Sequence, residues 1–139
     1  MHDEHWYREL PRAGMASAIG IEILELTCDR VTATMPVDDR TSQPFGILHG
    51  GASIALAETV ASLGATACID RAQFIAVGQE INGNHVRSKS DGVVTAVATP
   101  LHVGRRSHVW SIRIADEGDN LICVARCTMA IVPRPAQRI

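Results

Sequence analysis

The stretch GILHGGASIALAETVAS, residues 46–62, contains the features that decide the fold of this chain. From Gly51 to Ile69 the sequence is apolar and rich in small residues, which predicts a helix that begins at a Gly-Gly pair. A helix that is apolar on all sides must be buried on all sides. This helix nevertheless carries one charged side chain, Glu58, near its middle. The fold must therefore surround the helix and still accommodate a carboxylate.

The segments on either side of the helix have the alternation of strands. Residues 19–37 predict two short strands folded at Asp29 and Arg30. Turn signals such as Ser90-Asp91-Gly92 and Gly104 separate four further strand-like segments, residues 74–86, 92–103, 107–116 and 121–132. Successive strands joined by short turns favour an antiparallel sheet. We therefore expect an α+β domain in which an antiparallel sheet wraps around one long central helix.

Length and composition limit the possible classes of function. The 139 residues are enough for one domain. We expect a partly helical N-terminal segment at residues 1–18, a single domain at 19–132 and a loose tail at 133–139. The net charge of -2 and an aromatic content of 4% offer neither a basic field nor a stacking platform, so nucleic-acid binding is not expected.

Neither a secretory signal nor a membrane span is predicted. Residues 1–11 contain acidic side chains and no apolar core, so we expect a cytoplasmic protein. The window from Gly50 to Ile69 is built of small residues, and Glu58 in its middle would cost about 3 kcal/mol on insertion. We therefore reject a transmembrane helix.

The four cysteines form no CxxC pair; they are Cys28, Cys68, Cys123 and Cys127. In a cytosolic chain we interpret them as small buried thiols. No ligand spacing repeats among the cysteines and histidines, so no metal site is predicted.

Glu58 requires an explanation, because an unpaired buried carboxylate costs several kcal/mol or shifts its pKa upward. Its stripe of the helix contains Gly51, Ala55, Ser62 and Ala65, all small, which leaves space for a ligand or another chain. The alternative is a glutamate at the helix edge that points into solvent.

The helix start is a second candidate feature. Gly50 and Gly51 leave backbone N–H groups uncovered at the positive end of the helix dipole, where a carbonyl oxygen gaining negative charge would be stabilised. A flexible Gly-Gly turn is the alternative. Gly50 lies eight residues before Glu58, about 12 Å along the helix axis, so one carbonyl cannot reach both. If both serve one reaction, the helix start of one chain must meet Glu58 of another, in at least a dimer with shared sites.

The segment QPFGILHGGASIALAETVAS, together with EINGNHVR and PLHVGRR, resembles the hotdog-fold acyl-CoA thioesterases. The similarity is to the branch of the Arthrobacter-type 4-hydroxybenzoyl-CoA thioesterase, the phenylacetate-pathway (PaaI-like) thioesterases, 1,4-dihydroxy-2-naphthoyl-CoA hydrolase and the enterobactin proofreading thioesterase. It covers about residues 19–132 and includes a specific Q-x5-HGG-x6-E spacing. The Asp or His signature of dehydratases with the same fold is absent. The resemblance implies a hotdog fold and a homodimer, further assembled as a dimer of dimers (a homotetramer).

The resemblance also implies roles for five residues. Gln43 would hydrogen-bond the thioester, His49 would organise the site, and the Gly50 N–H would polarise the carbonyl. Glu58 of the neighbouring subunit would act as general base or nucleophile, and Ser62 would help to hold the carboxylate or the water. A thiolate leaving group with a pKa near about 8.5 needs no general acid, and no G-x-S-x-G elbow occurs in the chain. No cofactor is expected, because the CoA thioester is itself the substrate.

A second group of residues is predicted to bind the acyl group and the coenzyme. It combines a glycine at the helix start, polar residues of the third strand and a basic turn: Gly51, Asn82, His85, Arg87, Ser88, His102, Val103, Gly104, Arg105 and Arg106. Solvated hairpin residues and a structural histidine are the alternatives. The leading hypothesis is an acyl-CoA thioesterase for an aromatic or medium-sized acyl group. The others are a thioesterase acting on an acyl or aryl carrier protein and a non-catalytic acyl-CoA binding module.

Overall fold

One long helix and six strands dominate residues 5–136, the part of the chain that the computed structural model describes. A 3-10 helix, Trp6–Glu9, precedes the other elements. In chain order these are α1 (Met15–Ala18), β1 (Glu22–Leu26), β2 (Val31–Pro36), α2 (Gly50–Ala67), β3 (Phe74–His85), β4 (Val93–Val103), β5 (Ser107–Ala115) and β6 (Leu121–Pro133).

The predicted elements agree with the observed ones to within one or two residues at most ends. The last strand continues to Pro133, one residue into the predicted tail. Arg134 is also bound there, since its backbone N–H donates to the Gln73 carbonyl over 2.8 Å and its Nε to the Arg71 carbonyl over 2.8 Å. The rest of the predicted loose tail from residue 137, and residues 1–4, lie outside the described residues.

The six strands form one antiparallel sheet in the order β1-β2-β4-β5-β6-β3. Helix α2 connects β2 to β3, which lies at the far edge of the sheet beside β6. The chain must therefore cross the whole sheet through α2, which places the helix over the buried face. A register shift between Gly78 and Glu80 bends β3.

The core lies between α2 and the alternating side chains of the strands. On β5, Trp110, Ile112 and Ile114 are fully buried, and Leu56 and Val60 of α2 are equally buried. Burial of such side chains supplies most of the folding free energy.

Gly64 allows α2 to approach the sheet closely. A Cβ at this position would lie 2.5 Å from Cη2 of Trp110, so only a glycine fits over the indole ring.

The expectation that α2 is buried on all sides is wrong for a single chain. One stripe of the helix remains partly exposed, because the sheet covers the helix from one side only; the stripe contains Ala55, Glu58, Thr59, Ser62 and Leu63. Ala65, expected on this stripe, is fully buried. No helix among the described residues is long and apolar enough to cross a membrane.

The interpretation of all four cysteines as thiols is also wrong. Cys28 and Cys68 form a disulfide, which joins the β1–β2 turn to the C-cap of α2. Cys123 and Cys127 are buried free thiols, as predicted. Burial raises the pKa of Cys127 to about 12, with a further contribution from the Glu58 and Glu80 carboxylates. Within the described residues, no cluster of three or more metal-ligating side chains occurs.

Candidate active site

The loop before α2 fixes the start of the helix from two sides. The Leu48 N–H donates to the Lys89 carbonyl over 2.7 Å, and the His49 N–H donates to the Thr41 carbonyl over 2.8 Å. Thr41 is itself buried, and its hydroxyl donates to the Pro36 carbonyl over 2.8 Å. Leu48 is thus tied to the segment before β4, and His49 is tied through Thr41 to the end of β2.

His49 caps α2. Its Nδ1 accepts a hydrogen bond of 2.7 Å from the Gly51 N–H, so the proton of the neutral ring lies on Nε2. Its carbonyl accepts from the N–H groups of Ala52 and Ser53 over 3.0 and 3.3 Å. Among the described residues, the Gly50 N–H has no hydrogen-bond partner. One donor therefore remains available at the positive end of the helix.

His85, at the end of β3, lies against Gly50. Its Nε2 is 2.8 Å from the place that a Cβ on Gly50 would occupy, so a side chain there would collide with the imidazole. The structure thus brings His49, Gly50 and His85 together, although 35 residues separate the last two in the chain. Asn82 points elsewhere, since its Nδ2 donates to the Glu80 carboxylate over 2.9 Å.

Gln43 lies in a turn of the loop before the helix. Its backbone N–H donates to the Ile47 carbonyl over 2.8 Å, and its side-chain Oε1 accepts from the Phe45 N–H. The Gly46 N–H donates to the Gln43 carbonyl over 2.9 Å, and the φ of +80° at Gly46 suits a glycine in this turn. Because Oε1 is engaged, the amide hydrogens on Nε2 are the groups that Gln43 can offer to a ligand.

Glu58 lies near the middle of α2, with its carboxylate against Gly78 of β3. A Cβ at Gly78 would overlap Oε1, so the carboxylate occupies the space that the missing side chain leaves. Within the described residues it forms no hydrogen bond or ion pair. Glu58 and Ser62, one helical turn apart, line a groove of about 1130 Å³. The Glu58 carboxylate is thus packed on one side against β3 and partly exposed to the groove on the other.

One chain contains two separate groups rather than one assembled centre. Gln43 belongs to the loop before α2, and the unpartnered N–H of Gly50 lies at the helix start. Glu58 lies eight residues further along the same helix, about 12 Å away along its axis. No single carbonyl group can contact the Gly50 N–H and the Glu58 carboxylate of one chain.

The predicted coenzyme-binding residues lie at opposite ends of β4. Arg87 and Ser88 are exposed just before the strand, whereas Arg105 and Arg106 are exposed in the turn after it. A strand of 11 residues is about 30 Å long, so one phosphate cannot contact both sets in one chain.

The basic turn after β4 is closed by its own hydrogen bond. The Gly104 N–H donates to the Ser107 carbonyl over 3.0 Å, and the His102 imidazole lies close against Gly104. Val103 is exposed, and so is Gly51 at the helix start.

Lys89, in the segment before β4, forms an ion pair of 2.7 Å with Glu117. The pKa of Glu117 is lowered to about 2 by Lys89 and by the Val93 N–H.

Sequence reasoning missed two parts of the site. Gly78, which accommodates the Glu58 carboxylate, carries the signal of a glycine inside a strand pattern, which often marks a close approach. The N-terminal segment lines the same groove as Glu58. No local pattern reveals that contact, because the tertiary fold alone brings the segment to α2.

Comparison with known proteins identifies the family. The model described as "Thioesterase superfamily" matches residues 45–123. The 1,4-dihydroxy-2-naphthoyl-CoA hydrolase of Escherichia coli strain K12 is 48% identical over 118 residues, which are 85% of this chain and 86% of that protein.

Solved structures of thioesterases are also similar. Thioesterase PA1618 of Pseudomonas aeruginosa, crystallised as a Gln-to-Ala variant, has a TM-score of 0.90 at 42% identity, with 95% of each chain covered. SAV0944 of Staphylococcus aureus was crystallised as a Glu-to-Ala variant (TM-score 0.85, 45% identity, 87% of this chain and 100% of that one). Its Gln-to-Ala variant has a TM-score of 0.83 at 46% identity and covers 85% of this chain and 98% of that one. The chain therefore belongs to the thioesterase superfamily, has the hotdog fold and is a thioester hydrolase.

Proposed function

We propose that this enzyme hydrolyses an acyl-CoA with an aromatic or medium-sized acyl group, in a homodimer whose two sites are shared. In each site Glu58 of one protomer faces the Gly50 N–H of the other. One observation carries the proposal: α2 has an unpartnered donor at its start and an unpartnered carboxylate in a groove, too far apart to act together within one chain. If two such helices run antiparallel across a two-fold axis, both groups meet at one thioester, and the symmetry creates two identical sites of this kind in each dimer.

The chemistry needs few groups. The Glu58 carboxylate takes a proton from water while the hydroxide oxygen bonds to the thioester carbon. The carbonyl oxygen becomes an oxyanion, which the Gly50 N–H stabilises at the positive end of the helix. The C–S bond then breaks, and CoA leaves as a thiolate that needs no acid, because thiol pKa values are near about 8.5. Attack by the carboxylate itself, followed by hydrolysis of the anhydride, uses the same groups and leads to the same products.

The neighbouring residues position these groups. Gln43 offers its Nε2 hydrogens to the thioester, since Oε1 already accepts from the loop backbone. His49 holds the Gly51 N–H and thereby leaves the Gly50 N–H as the donor for the oxyanion. Ser62 lies one turn from Glu58 with no partner for its hydroxyl among the described residues, so it can hold the carboxylate or the attacking water.

Two findings on relatives support this assignment. The residues replaced in the two SAV0944 variants, a Gln and a Glu, are numbered fifteen apart, as Gln43 and Glu58 are here. The Escherichia coli relative is named for an aromatic acyl-CoA, which supports an aryl or similarly sized acyl group.

The decisive measurement is thiol release from benzoyl-, naphthoyl- and hexanoyl-CoA by the wild type and by Glu58→Gln. We expect kcat to fall by about 10²–10⁴-fold for every substrate, with circular dichroism and oligomeric state unchanged. Full activity of a folded Glu58→Gln variant would remove Glu58 from the mechanism.

Subunit complementation tests the shared site. Gln43→Ala and Glu58→Ala homodimers should each be inactive, and hybrids formed by subunit exchange should contain one site with both residues intact. Random exchange of equal amounts should restore about a quarter of the wild-type sites. No recovery, with exchange proven by mass-tagged subunits, would contradict a site composed of two chains.

The coenzyme contact has its own test. We assign the CoA phosphates to the turn of residues 102–106, because Arg105 and Arg106 are both exposed there. Replacing both arginines with alanine should raise KM for an acyl-CoA and leave KM for the matching acyl-pantetheine unchanged. If the two substrates respond alike, this turn does not bind the phosphates, and acyl carrier proteins become the next substrates to assay.

A further inference from the structure

The groove that contains Glu58 has a second wall contributed by the N-terminal part of the chain. One wall is the partly exposed stripe of α2, with Ala55, Glu58 and Ser62. The opposite side is formed by residues 7–21, which we call the N-terminal wall, and it includes Leu10 and Met15.

The N-terminal wall is fixed although none of its helical residues is buried. The Arg71 guanidinium, in the segment after α2, lies 4.6 Å from the ring centroid of Trp6, the residue directly before the wall. This cation–π contact holds Trp6 against the domain. Two backbone hydrogen bonds close the turn around α1, from Ala18 to the Gly14 carbonyl over 3.0 Å and from Ile21 to the Ala16 carbonyl over 2.9 Å. The 3-10 helix and α1 nevertheless contain no buried residue. The wall is thus held at its ends, where Tyr7, Ile19 and Ile21 are partly buried against the core.

Two large apolar side chains of this wall have little protein contact. Met15 is 66% exposed and Leu10 is 48% exposed, and both line the groove. The facing part of α2 bears small side chains, Ala55, Thr59 and Ser62, so the protein does not fill the space between the walls. Apolar side chains that line an open groove with a carboxylate are typical of ligand sites, which are mostly apolar with a few convergent polar groups. At about 1130 Å³ the groove has ample room for an acyl group, since typical ligand pockets hold about 300–1,000 Å³.

We propose that Leu10 and Met15 contact the acyl group of the substrate and determine which acyl size the enzyme prefers. The proposal rests on the proposed role of Glu58. A thioester whose carbonyl carbon is attacked next to Glu58 has its acyl group in the same groove. Leu10 and Met15 offer large apolar side chains there, on a wall that also carries Arg8 and Arg12.

Filling the groove tests this assignment. Met15→Trp adds bulk to the N-terminal wall, and Leu24→Trp is the matched control, because Leu24 is 59% exposed but does not line the groove. With acetyl-, hexanoyl-, decanoyl- and benzoyl-CoA as probes, we expect Met15→Trp to lower kcat/KM for the larger acyl groups tenfold or more relative to acetyl-CoA. Leu24→Trp should leave the ratios unchanged.

Truncation gives an independent readout. Each methylene that the wild type buries should raise kcat/KM about fourfold along the acyl series until the groove is full. Leu10→Ala and Met15→Ala should flatten this rise, and they keep the test valid if Met15→Trp fails to fold.

The outcomes separate the inference from the proposed function. Hydrolysis of the series with unchanged ratios in all three folded variants would overturn the role of the N-terminal wall and leave the thioesterase proposal intact. A change in oligomeric state by light scattering, without any change in the ratios, would also overturn it, because the groove would then be covered by a second copy of the chain. Failure of the wild type to hydrolyse any thioester would instead refute the proposed function.

Discussion

Replacing Gly78 with alanine should separate the position of the Glu58 carboxylate from the stability of the fold. The added Cβ would overlap Oε1 and lie 3.2 Å from Cδ of Glu58. Because the obstacle is the end of a flexible side chain, the carboxylate can rotate away and the backbone need not move. Gly78 does not have a positive φ, so alanine can adopt its conformation and gains about 0.4–1 kcal/mol from the lower entropy of the unfolded chain. The free energy of unfolding should therefore change by no more than about 1 kcal/mol.

The effect on catalysis should be much larger. Ordinary contact with a Cβ begins at 3.4 Å, so the carboxylate oxygen must move by more than about 1 Å. A displacement of that size costs about 100-fold in rate, or about 2.7 kcal/mol of transition-state stabilisation. If Glu58 acts only in the chemical step, the loss should fall on kcat, with KM nearly unchanged.

The assay is steady-state thiol release from benzoyl-CoA, with urea unfolding measured on the same samples. Gly83→Ala is the matched control, because Gly83 lies on the same strand and its added Cβ would come close only to the flexible Cδ1 methyl of Ile54, at 2.7 Å, with Cys123 Sγ and the Val124 carbonyl at an ordinary contact distance of 3.5 Å. The control should retain its activity. Full kcat in a folded Gly78→Ala enzyme would refute the reasoning. An equal loss of kcat in both variants would show that a disturbance of β3, and not the displaced Glu58 carboxylate, lowers the activity.

Three further predictions concern stability. Gly64→Ala should lower the free energy of unfolding, measured in urea, by about 1–2 kcal/mol. The cost of overpacking against the rigid Trp110 indole exceeds the gain in helix propensity, and a more stable variant would contradict this packing. Reducing the Cys28–Cys68 disulfide, which spans 40 residues, should cost about 4 kcal/mol, so a thermal midpoint unaffected by reductant would contradict the cross-link. The pKa of Glu117 is lowered from 4.5 to about 2, mainly by Lys89. Their ion pair therefore stabilises the fold above pH 4.5, and this stabilisation is progressively lost as the pH falls towards 2. Glu117→Gln should therefore lose less stability than the wild type over that pH range, and an identical pH profile would disprove the contribution.

The local elements and the candidate groups of α2, its uncovered N–H at the start and its lone carboxylate, were predictable from the sequence because their signals are short in range. The apolar run after Gly50 predicts the helix, and alternation along β4, β5 and β6 predicts strands whose boundaries agree closely with the structure. Glu58 stands out because a charge in an apolar helix requires a reason.

Other features depend on contacts between distant residues. The pairing of β3 with β6, the disulfide of Cys28 with Cys68, and the contact of Gly78 with Glu58 each join parts of the chain that carry no mutual local signal.

By itself, the sequence determined the fold class, the family resemblance and the two candidate groups at the start and middle of α2, since periodicity and residue chemistry are properties of neighbouring residues. Only the tertiary structure decided which side of α2 stays open and that the N-terminal wall faces it. The physical reason is that side-chain periodicity specifies which face of an element is apolar but not which distant segment will cover it. That choice is made by packing the whole chain at once, and here it leaves Glu58 in a groove between the first residues of the chain and its central helix.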